Sequence, residues 1–376
     1  DELGGLTGML QLGLNHNGFT GSIPDLGALT DMTHLNVSNN PLTGDLYRPD
    51  ATSWLGDLDS ILVLDLRSTN LEGTIPTELG NLDTLQQFWL SGTSMSGPIP
   101  DVFDTMTSLG FIEIAHTPID GPIPPSMAVA PALHSIRLHD NYLTGAIPAG
   151  LGSPLGYLNE LSLPHNRLSG PLPVGLGTVP IGRLSLEGNR LAGEIPASIT
   201  NLTAATLVNI QLNALYTGDP AVQAFLDSKD PSWSLAQTVA PENLAVDSVD
   251  IGSVDLSWTP IPFGGSGGHY RVLYATSSGG PYTLAGTTST KDVGAYTVEG
   301  LDDGITYYFV VQTETDPYWH LATPVLSEYS AEVSGATLLD ADGDGVAEAD
   351  DCDDNDATCT PAPPNCATAR TTTAIR

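Results

Sequence analysis

Residues 155–173 read LGYLNELSLPHNRLSGPLP, and the same pattern recurs throughout positions 1–217 of the 376-residue chain. Leucines stand eleven, eight, five and three positions before Asn166, and an aliphatic residue, a glycine and a proline follow it. Aligned on this asparagine, or on a threonine in its place, successive copies follow at a nearly constant interval, with one longer interval between Asn40 and Thr69. Such a period predicts a stack of repeated coils. The anchor residues are Asn17, Asn40, Thr69, Thr93, Thr117, Asn141, Asn166, Asn189 and Asn213.

The spacing within one copy predicts the local structure of a coil. The leucines five and three positions before the anchor alternate as in a short strand and therefore point to the same side. A single coil cannot bury that apolar side, so neighbouring coils must stack. A buried asparagine would satisfy backbone groups where the coil turns, and threonine would do part of this. Glycine permits the unusual backbone angle of the next turn, and proline directs the chain into an extended segment.

The consensus Leu-x-x-Leu-x-x-Leu-x-Leu-x-x-Asn-x-Leu-x-Gly-x-Ile-Pro resembles the plant-type leucine-rich repeat, which is also found in secreted bacterial proteins. Eight complete copies and a divergent ninth lie within residues 1–217. The resemblance implies a mainly β fold, a curved solenoid with a parallel sheet on its concave face and a second short strand near each Gly-x-Ile-Pro segment. Residues 218–237 are predicted to be a C-terminal cap and linker, because Val222, Phe225 and Leu226 have helical spacing and Trp233 follows. We expect the N-terminal cap to be missing.

From Ala240 onward the pattern changes to short alternating strands separated by turn-rich segments. About a hundred residues of this kind suit a seven-strand sandwich. Residues 238–337 resemble a fibronectin type III domain, with Trp258 at the position of its core tryptophan and Tyr307 at that of its tyrosine corner. No Arg-Gly-Asp sequence occurs, so the resemblance implies no integrin binding.

The tail, residues 338–376, has the oxygen-ligand spacing of an EF-hand loop, with Asp340 at position 1 and Gly345 providing the turn at position 6. It resembles the calcium loops of dockerins, thrombospondin type 3 repeats and bacterial metal-binding tails. Position 12 is an aspartate, however, and no flanking helices are evident. We predict that this partly disordered tail binds calcium; the alternative is a solvated acidic linker. The candidate ligands are Asp340, Asp342, Asp344, Val346, Glu348, Asp351, Asp353 and Asn355.

Composition limits the classes of partner and compartment. The chain has 44 acidic and 11 basic residues, for a net charge of −33, which disfavours nucleic acid and anionic membranes. No apolar run is long enough to cross a bilayer. The three cysteines all lie in the tail, which suits an oxidising, extracellular compartment. We therefore expect a secreted or cell-surface protein, and we expect it to be a monomer.

In a solenoid of this kind the positions seven, six, four, two and one before each anchor face the concave side. Trp89 stands among charged neighbours there, and tryptophan and arginine provide much of the energy of protein interfaces. We therefore expect the partner to bind around it. The candidate ligand-binding residues are Asn36, Asp65, Trp89, Phe111, Glu113, His116, Arg137, His139, Asp140 and His165.

Three titratable residues stand directly before consecutive anchors: His116, Asp140 and His165. Neighbouring strands lie about 4.8 Å apart, so these side chains are expected to converge. They form either a metal or acid–base site, or a polar and pH-sensitive recognition face. We favour the recognition face, because no nucleophile accompanies the histidines.

These features predict an extracellular recognition protein that binds a protein, peptide or glycan through the concave face. The alternative is a structural adhesin stalk or spacer with a calcium-stiffened tail and no specific ligand. We do not expect an enzyme, because the chain contains no Gly-x-Ser-x-Gly, His-Glu-x-x-His or P-loop sequence.

Overall fold

The structure is a computed structural model that describes residues 3–48, 51–152, 158–317, 323–341, 343 and 345–348. The chain forms two compact units. The first comprises Asp1–Gln237 with Pro317–Val325, and the second comprises Thr238–Asp316 with Leu326–Arg376. The fold is mainly β in both units, as predicted: a parallel solenoid is followed by an antiparallel sandwich. The candidate ligands Asp342, Asp344, Asp351, Asp353 and Asn355 lie outside the described residues.

Within the described part of the first unit, nine three-residue strands form one parallel sheet in the order β1-β3-β5-β6-β8-β10-β12-β14-β16. The middle residue of each strand is the apolar residue five positions before the anchor, and it points into the core. The strands of this unit are β1 (Gln11–Gly13), β2 (Gly21–Ser22), β3 (His34–Asn36), β4 (Leu42–Thr43), β5 (Val63–Asp65), β6 (Gln87–Trp89), β7 (Gly97–Pro98), β8 (Phe111–Glu113), β9 (Ile119–Pro122), β10 (Ser135–Arg137), β11 (Tyr142–Gly145), β12 (Glu160–Ser162), β13 (Arg167–Gly170), β14 (Arg183–Ser185), β15 (Arg190–Glu194), β16 (Leu207–Asn209) and β17 (Ala214–Tyr216).

Neighbouring strands of the main sheet pair at equivalent repeat positions, because each repeat forms its strand at the same point of the consensus. Ile136 of β10, for example, pairs with Ile112 on one side and Leu161 on the other. Short strands after the anchors form a second parallel sheet, β17-β15-β13-β11-β9-β7, and β2 pairs with β4. This second set of strands was implied by the repeat consensus. The 3₁₀ helices of the unit are Leu3–Gly5, Trp54–Asp57, Thr77–Asn81, Pro125–Ala128, Ala149–Gly152, Val174–Thr178, Ala197–Asn201 and Ser234–Ala236.

The buried asparagines form a ladder that joins neighbouring coils. Asn166 Nδ2 donates to the carbonyl of Leu163 in its own coil and to that of Leu138 in the preceding coil, at 3.1 and 2.8 Å. Its Oδ1 accepts a hydrogen bond from the backbone N–H of Leu143 at 3.0 Å. The same bonds recur at Asn189 and Asn213. The asparagine therefore supplies both the donors and the acceptor that the turning backbone needs.

The ladder continues into residues 218–237. Gln237 stands one repeat period after Asn213, and its Oε1 accepts from the backbone N–H of Leu215. Its Nε2 donates to the carbonyls of Ile210 and Trp233. Gln237 therefore adds a further rung, which the sequence pattern did not reveal because the residue is not Asn or Thr.

A helix covers the end of the hydrophobic column. Helix α1 (Pro220–Lys229) begins after Asp219, whose side chain accepts a hydrogen bond from the N–H of Ala221. This is a standard N-cap. Proline suits the first helical position, because the backbone N–H that it lacks would have no acceptor within the helix. Val222, Leu226 and Trp233 are buried against the last coils, and Phe225 packs against the same core.

The second unit is an antiparallel sandwich. One sheet has the order β18-β19-β22, and the other has β21-β20-β23-β24, with β25 also pairing with β23. The described residues of this unit thus contain eight strands where a seven-strand sandwich was expected, and both β24 and β25 pair with β23. The strands are β18 (Glu242–Asp250), β19 (Ser253–Thr259), β20 (His269–Ala275), β21 (Thr283–Thr287), β22 (Ala295–Glu299), β23 (Thr306–Thr315), β24 (Val325–Tyr329) and β25 (Val333–Ala336).

Two aromatic residues of this unit have the positions that the sequence predicted. Trp258 is buried and meets Tyr270 edge-on, with ring centroids 5.3 Å apart. The Tyr307 hydroxyl accepts a hydrogen bond from the backbone N–H of Asp302 at 2.9 Å. A tyrosine bonded to backbone a few residues upstream is the tyrosine corner of such sandwiches.

Candidate functional site: the concave sheet of the solenoid

Four side chains from consecutive coils form a continuous stack, which we call the aromatic platform: Arg67, Trp89, Phe111 and Arg137. The ring centroids of Trp89 and Phe111 are 5.1 Å apart. The two rings meet diagonally, because the register pairs Phe111 with Gln87 and Trp89 with Glu113. The Arg67 guanidinium lies 5.1 Å from the Trp89 ring, and that of Arg137 lies 5.2 Å from the Phe111 ring. Both residues are half-buried, so part of each remains exposed to solvent.

A charged network holds Arg137 in place. Its guanidinium lies 2.9 Å from a Glu160 oxygen and 3.4 Å from a Glu113 oxygen, and Arg183 approaches Glu160 at 3.6 Å. Burial alone would raise the pKa of Glu160, but hydrogen bonds from Arg137 and Ser135 outweigh it and lower that pKa. The hydrogen bond to Glu160 in turn raises the pKa of Arg137. The platform is therefore flanked by fixed charges of both signs.

Two predicted residues of the face serve the structure around them. Asp65 is only 3% exposed, and its carboxylate accepts two hydrogen bonds from Arg67, at 3.0 and 2.9 Å. The group presented to solvent at this point is therefore the Arg67 guanidinium. Asn36 Oδ1 accepts hydrogen bonds from the backbone N–H and the hydroxyl of Ser38, which occupy its acceptor.

Beside Phe111 the sheet carries a shallow pocket of about 230 Å³. Gly110 lines this pocket and packs closely against the His134 ring, since an added Cβ would lie 2.9 Å from His134 Nε2. Such a depression next to a half-buried ring offers a place for a partner side chain. The lining residues are Gln86, Gln87, Ser108, Gly110, Phe111, Ala132 and His134.

The predicted convergence before the anchors is present. His116, His139, Asp140 and His165 form what we call the histidine cluster. His165 Nδ1 lies 2.9 Å from Asp140 Oδ1, and His116 Nδ1 lies 3.5 Å from Asp140 Oδ2. His116, Asp140 and His165 all have left-handed backbone, with φ of 53°, 55° and 56°, so the same turn in each coil aligns their side chains.

His139 completes this cluster from the position beside Asp140. Its ring meets that of His116 edge-on at 5.1 Å. Among the residues that the structure describes, no group hydrogen-bonds its buried Nδ1. Burial, reinforced by the nearby His116, lowers the pKa of His139.

Sequence reasoning brought together Trp89, Phe111, Glu113 and Arg137. It missed Arg67 of the aromatic platform and Glu160 and Arg183 of the charged network. Glu160 and Arg183 stand six positions before their anchors, in the column that also contains Phe111. Comparing the residues six positions before every anchor would have identified both Glu160 and Arg183 from the sequence. Arg67 stands two positions before Thr69, in the column that contains His139.

In the tail, the described residues show how the start of the acidic loop closes. The two oxygens of Asp340 accept hydrogen bonds from the backbone N–H groups of Gly343 and Gly345, at 2.8 and 2.9 Å. Both glycines have positive φ, which a residue with a side chain rarely adopts. The backbone N–H of Glu348 donates to the carbonyl of Leu339 at 2.8 Å.

Comparison with known families supports both modules. Residues 239–328 match the family model of the fibronectin type III domain, and residues 60–82 match that of the Leucine Rich Repeat. Both are typically non-enzymatic modules. No curated protein is significantly similar in sequence to this chain. In the described part of the chain, none of the helices has the length and apolar character needed to span a membrane.

Solved structures similar to this chain include three receptors. The plant peptide hormone receptor RGFR1, in complex with RGF2, is 34% identical, over 59% of this chain and 35% of its own, with a TM-score of 0.56. The TDR receptor is 28% identical, over 57% and 36%, with a TM-score of 0.53. The Arabidopsis receptor kinase HAESA, in complex with the peptide hormone IDA and the co-receptor SERK1, is 26% identical, over 57% and 35%, with a TM-score of 0.52. The chain thus spans about a third of the length of these structures. The plant source of RGFR1 and HAESA gives no support to the bacterial resemblance.

Proposed function

We propose that this protein recognises an extended peptide or protein segment through the concave sheet of its solenoid, with the aromatic platform at the centre of the contact. The observation that carries this proposal is the unbroken stack from Arg67 over Trp89 and Phe111 to Arg137. Large aromatic and arginine side chains in a partly desolvated surface provide most of the binding energy of protein interfaces. A segment that crosses the strands would meet all four in succession.

The similarity to receptors solved with peptide hormones supports a peptide or protein partner ahead of a glycan. The charged network supports it as well, because a peptide offers backbone and side-chain groups of both signs to Arg137 and Glu113. The same similarity supports an extracellular location. We propose secretion or display at the cell surface, and recognition without catalysis.

A peptide library displayed on phage, selected on the full chain, tests this proposal. Enriched peptides are synthesised, and their affinity is measured by calorimetry. We expect Trp89→Ala to weaken binding by about 30-fold or more, as for a central interface tryptophan. Tyr216→Ala is the matched control, because Tyr216 is an exposed aromatic residue on β17 in the second sheet.

The outcomes separate three possibilities. Loss of affinity in Trp89→Ala with none in Tyr216→Ala supports the platform as the binding centre. Equal affinity of both variants and the unsubstituted chain overturns it. A glycan array probed with the same chain tests the third possibility. Binding of a glycan and of no peptide would change the proposed ligand class and leave the proposed binding surface unchanged.

We further propose that the tail binds calcium. Asp340, Glu348 and the carbonyl of Val346 are oxygen donors with the spacing of a calcium loop, and the hydrogen bonds from Gly343 and Gly345 support a turn around Asp340. Calcium titrated into the full chain should protect the tail from proteolysis. Asp340→Asn should reduce this protection, whereas Asp316→Asn, outside the tail, should not; protection unaffected by calcium would refute the site.

A further inference from the structure

The histidine cluster has the donor composition and the spacing of a transition-metal site. One donor atom from each of His116, His139 and Asp140 lies within 4.8 Å of the other two. Two ligand atoms on a tetrahedral zinc ion are about 3.3 Å apart, given bonds of about 2.0–2.1 Å. His116 Nδ1 and Asp140 Oδ2 are already 3.5 Å apart. Small rotations of the exposed His116 side chain would close the remaining gap.

The state of His139 is a second and independent observation. Its Nδ1 is buried, and no hydrogen-bond partner for it exists among the described residues. A buried polar atom without a partner is costly, and native proteins rarely keep one without a reason. A metal ion held between His139, His116 and Asp140 would satisfy this atom.

The two oxygens of the Asp140 carboxylate have different neighbours. Oδ1 is 2.9 Å from His165 Nδ1, which leaves Oδ2 on the side of His116. A carboxylate that binds a metal is commonly held by such a hydrogen bond from an outer residue, which sets its orientation. The Asp140 side chain is mostly buried, so it is confined to this position.

We propose that His116, His139 and Asp140 bind one divalent transition-metal ion, with zinc as the leading candidate, and that His165 is a positioning residue for Asp140. Two imidazole nitrogens and one carboxylate oxygen suit zinc, whereas calcium and magnesium prefer oxygen ligands alone. Three protein ligands leave a fourth coordination position, which water or a donor atom of a bound partner would fill. The net charge of −33 favours cation binding further.

Zinc chloride titrated into the full chain by calorimetry tests the site. The three tail cysteines are alkylated first and calcium is present in excess, so that neither the thiolates nor the acidic loop competes. We expect one zinc ion per chain. We expect His139→Phe, which keeps the ring but removes Nδ1, to abolish this binding. His134→Phe is the matched control, because His134 is an exposed histidine outside the cluster.

Two further variants, each compatible with left-handed backbone, test the site if His139→Phe fails to fold. Asp140→Asn keeps a residue that tolerates left-handed backbone and retains an oxygen toward His165. His116→Gly suits the same backbone, since Gly92 occupies the equivalent position with φ of 69°. Both should lose zinc while the far-ultraviolet circular dichroism of the chain stays unchanged.

Cobalt absorption distinguishes the ligands from the positioning residue. Tetrahedral cobalt bands should be lost in the three ligand variants. In His165→Phe they should persist with affinity about tenfold lower, as expected for removal of an outer hydrogen bond. Zinc stoichiometry unchanged in His139→Phe, Asp140→Asn and His116→Gly would overturn the proposal. So would no zinc bound by the unsubstituted chain, which would leave Asp140 as an ion-pair partner only. Because zinc alone is the probe, these outcomes are independent of peptide recognition.

Discussion

The coils anchored by asparagine and those anchored by threonine share one hydrophobic core but differ in how they are joined. From Asn141 to Asn213, each anchor bonds to its own coil and to the preceding coil. The Thr69 hydroxyl donates to the carbonyl of Leu66 in its own coil, and no described residue hydrogen-bonds the buried hydroxyl of Thr93. Packing and backbone pairing thus join the threonine coils, whereas an asparagine amide, which both donates and accepts, adds side-chain hydrogen bonds to the preceding coil.

The aromatic platform is carried largely by the threonine coils. Arg67, Trp89 and Phe111 belong to the coils anchored by Thr69, Thr93 and Thr117. Regions that bind ligands are commonly drawn from the less stable parts of a structure. One side-chain substitute for the ladder exists here: the Ser91 hydroxyl donates to Glu113 and accepts from the N–H of Ala115.

The largest expected effect comes from removing a rung in the asparagine coils. Asn166→Ala leaves two buried carbonyls and one buried N–H without the amide, and we expect it to lower the free energy of unfolding by about 3 kcal/mol. Thr69→Ala removes one hydrogen bond and should cost about 1 kcal/mol. Equilibrium urea unfolding of the full chain measures both. Equal losses would contradict the distinction between the two kinds of coil.

The rung at Gln237 should matter next. Gln237→Leu roughly keeps the side-chain volume but removes the hydrogen bonds to Leu215 and Ile210. We expect the free energy of local opening of the last coil to fall by about 2 kcal/mol. Hydrogen exchange of residues 207–237, followed by mass spectrometry, measures this locally. Gln223→Leu is the control and should leave exchange unchanged, because the half-buried Gln223 donates its amide N–H to Asp227 within α1 rather than to the ladder. Equal exchange in the two variants would show that Gln237 is not part of the ladder.

A pair of identical substitutions sharpens the comparison within the threonine coils. Thr117→Val breaks a 2.6 Å hydrogen bond to Asn141 Oδ1 and should destabilise by about 1.5 kcal/mol. Thr93→Val removes a hydroxyl that no described residue pairs, so it should be neutral or stabilise by up to about 1 kcal/mol. Thermal unfolding of both variants measures the difference. A loss in Thr93→Val as large as in Thr117→Val would reveal a partner for Thr93.

The smallest effect concerns Glu160, which links the asparagine coils to the platform through Arg137. Its pKa is lowered on folding, so its stabilising contribution is present above the unfolded pKa of about 4.3 and is lost as pH falls through the folded pKa. Glu160→Gln should therefore cost about 0.5 kcal/mol at neutral pH, since the pair is partly exposed. The difference from the unsubstituted chain should vanish on acidification. A difference that persisted under acid would indicate a packing effect instead.

Much of the fold was predictable because its signals are local and repeated. The leucines that surround Asn166, in phase with eight other anchors, predicted the parallel sheet, and alternation around Trp258 predicted a strand of the sandwich. Trp89, Phe111 and Arg137 were expected on the same face because the period aligns them. Gln237 was missed although it stands one period after Asn213, because the pattern was defined by residue type.

By itself, the sequence determined which residues are repeated and therefore which columns face the core and the concave surface, since apolar burial depends on period alone. The tertiary structure decided what each displayed side chain does. Asp65 is buried under Arg67, Asp140 is shared between His116 and His165, and the His139 Nδ1 is left buried. The Asp65–Arg67 pair depends on the rotamers of two residues in the same repeat. The sharing of Asp140 depends on neighbours one full repeat away along the chain, so no single repeat encodes it.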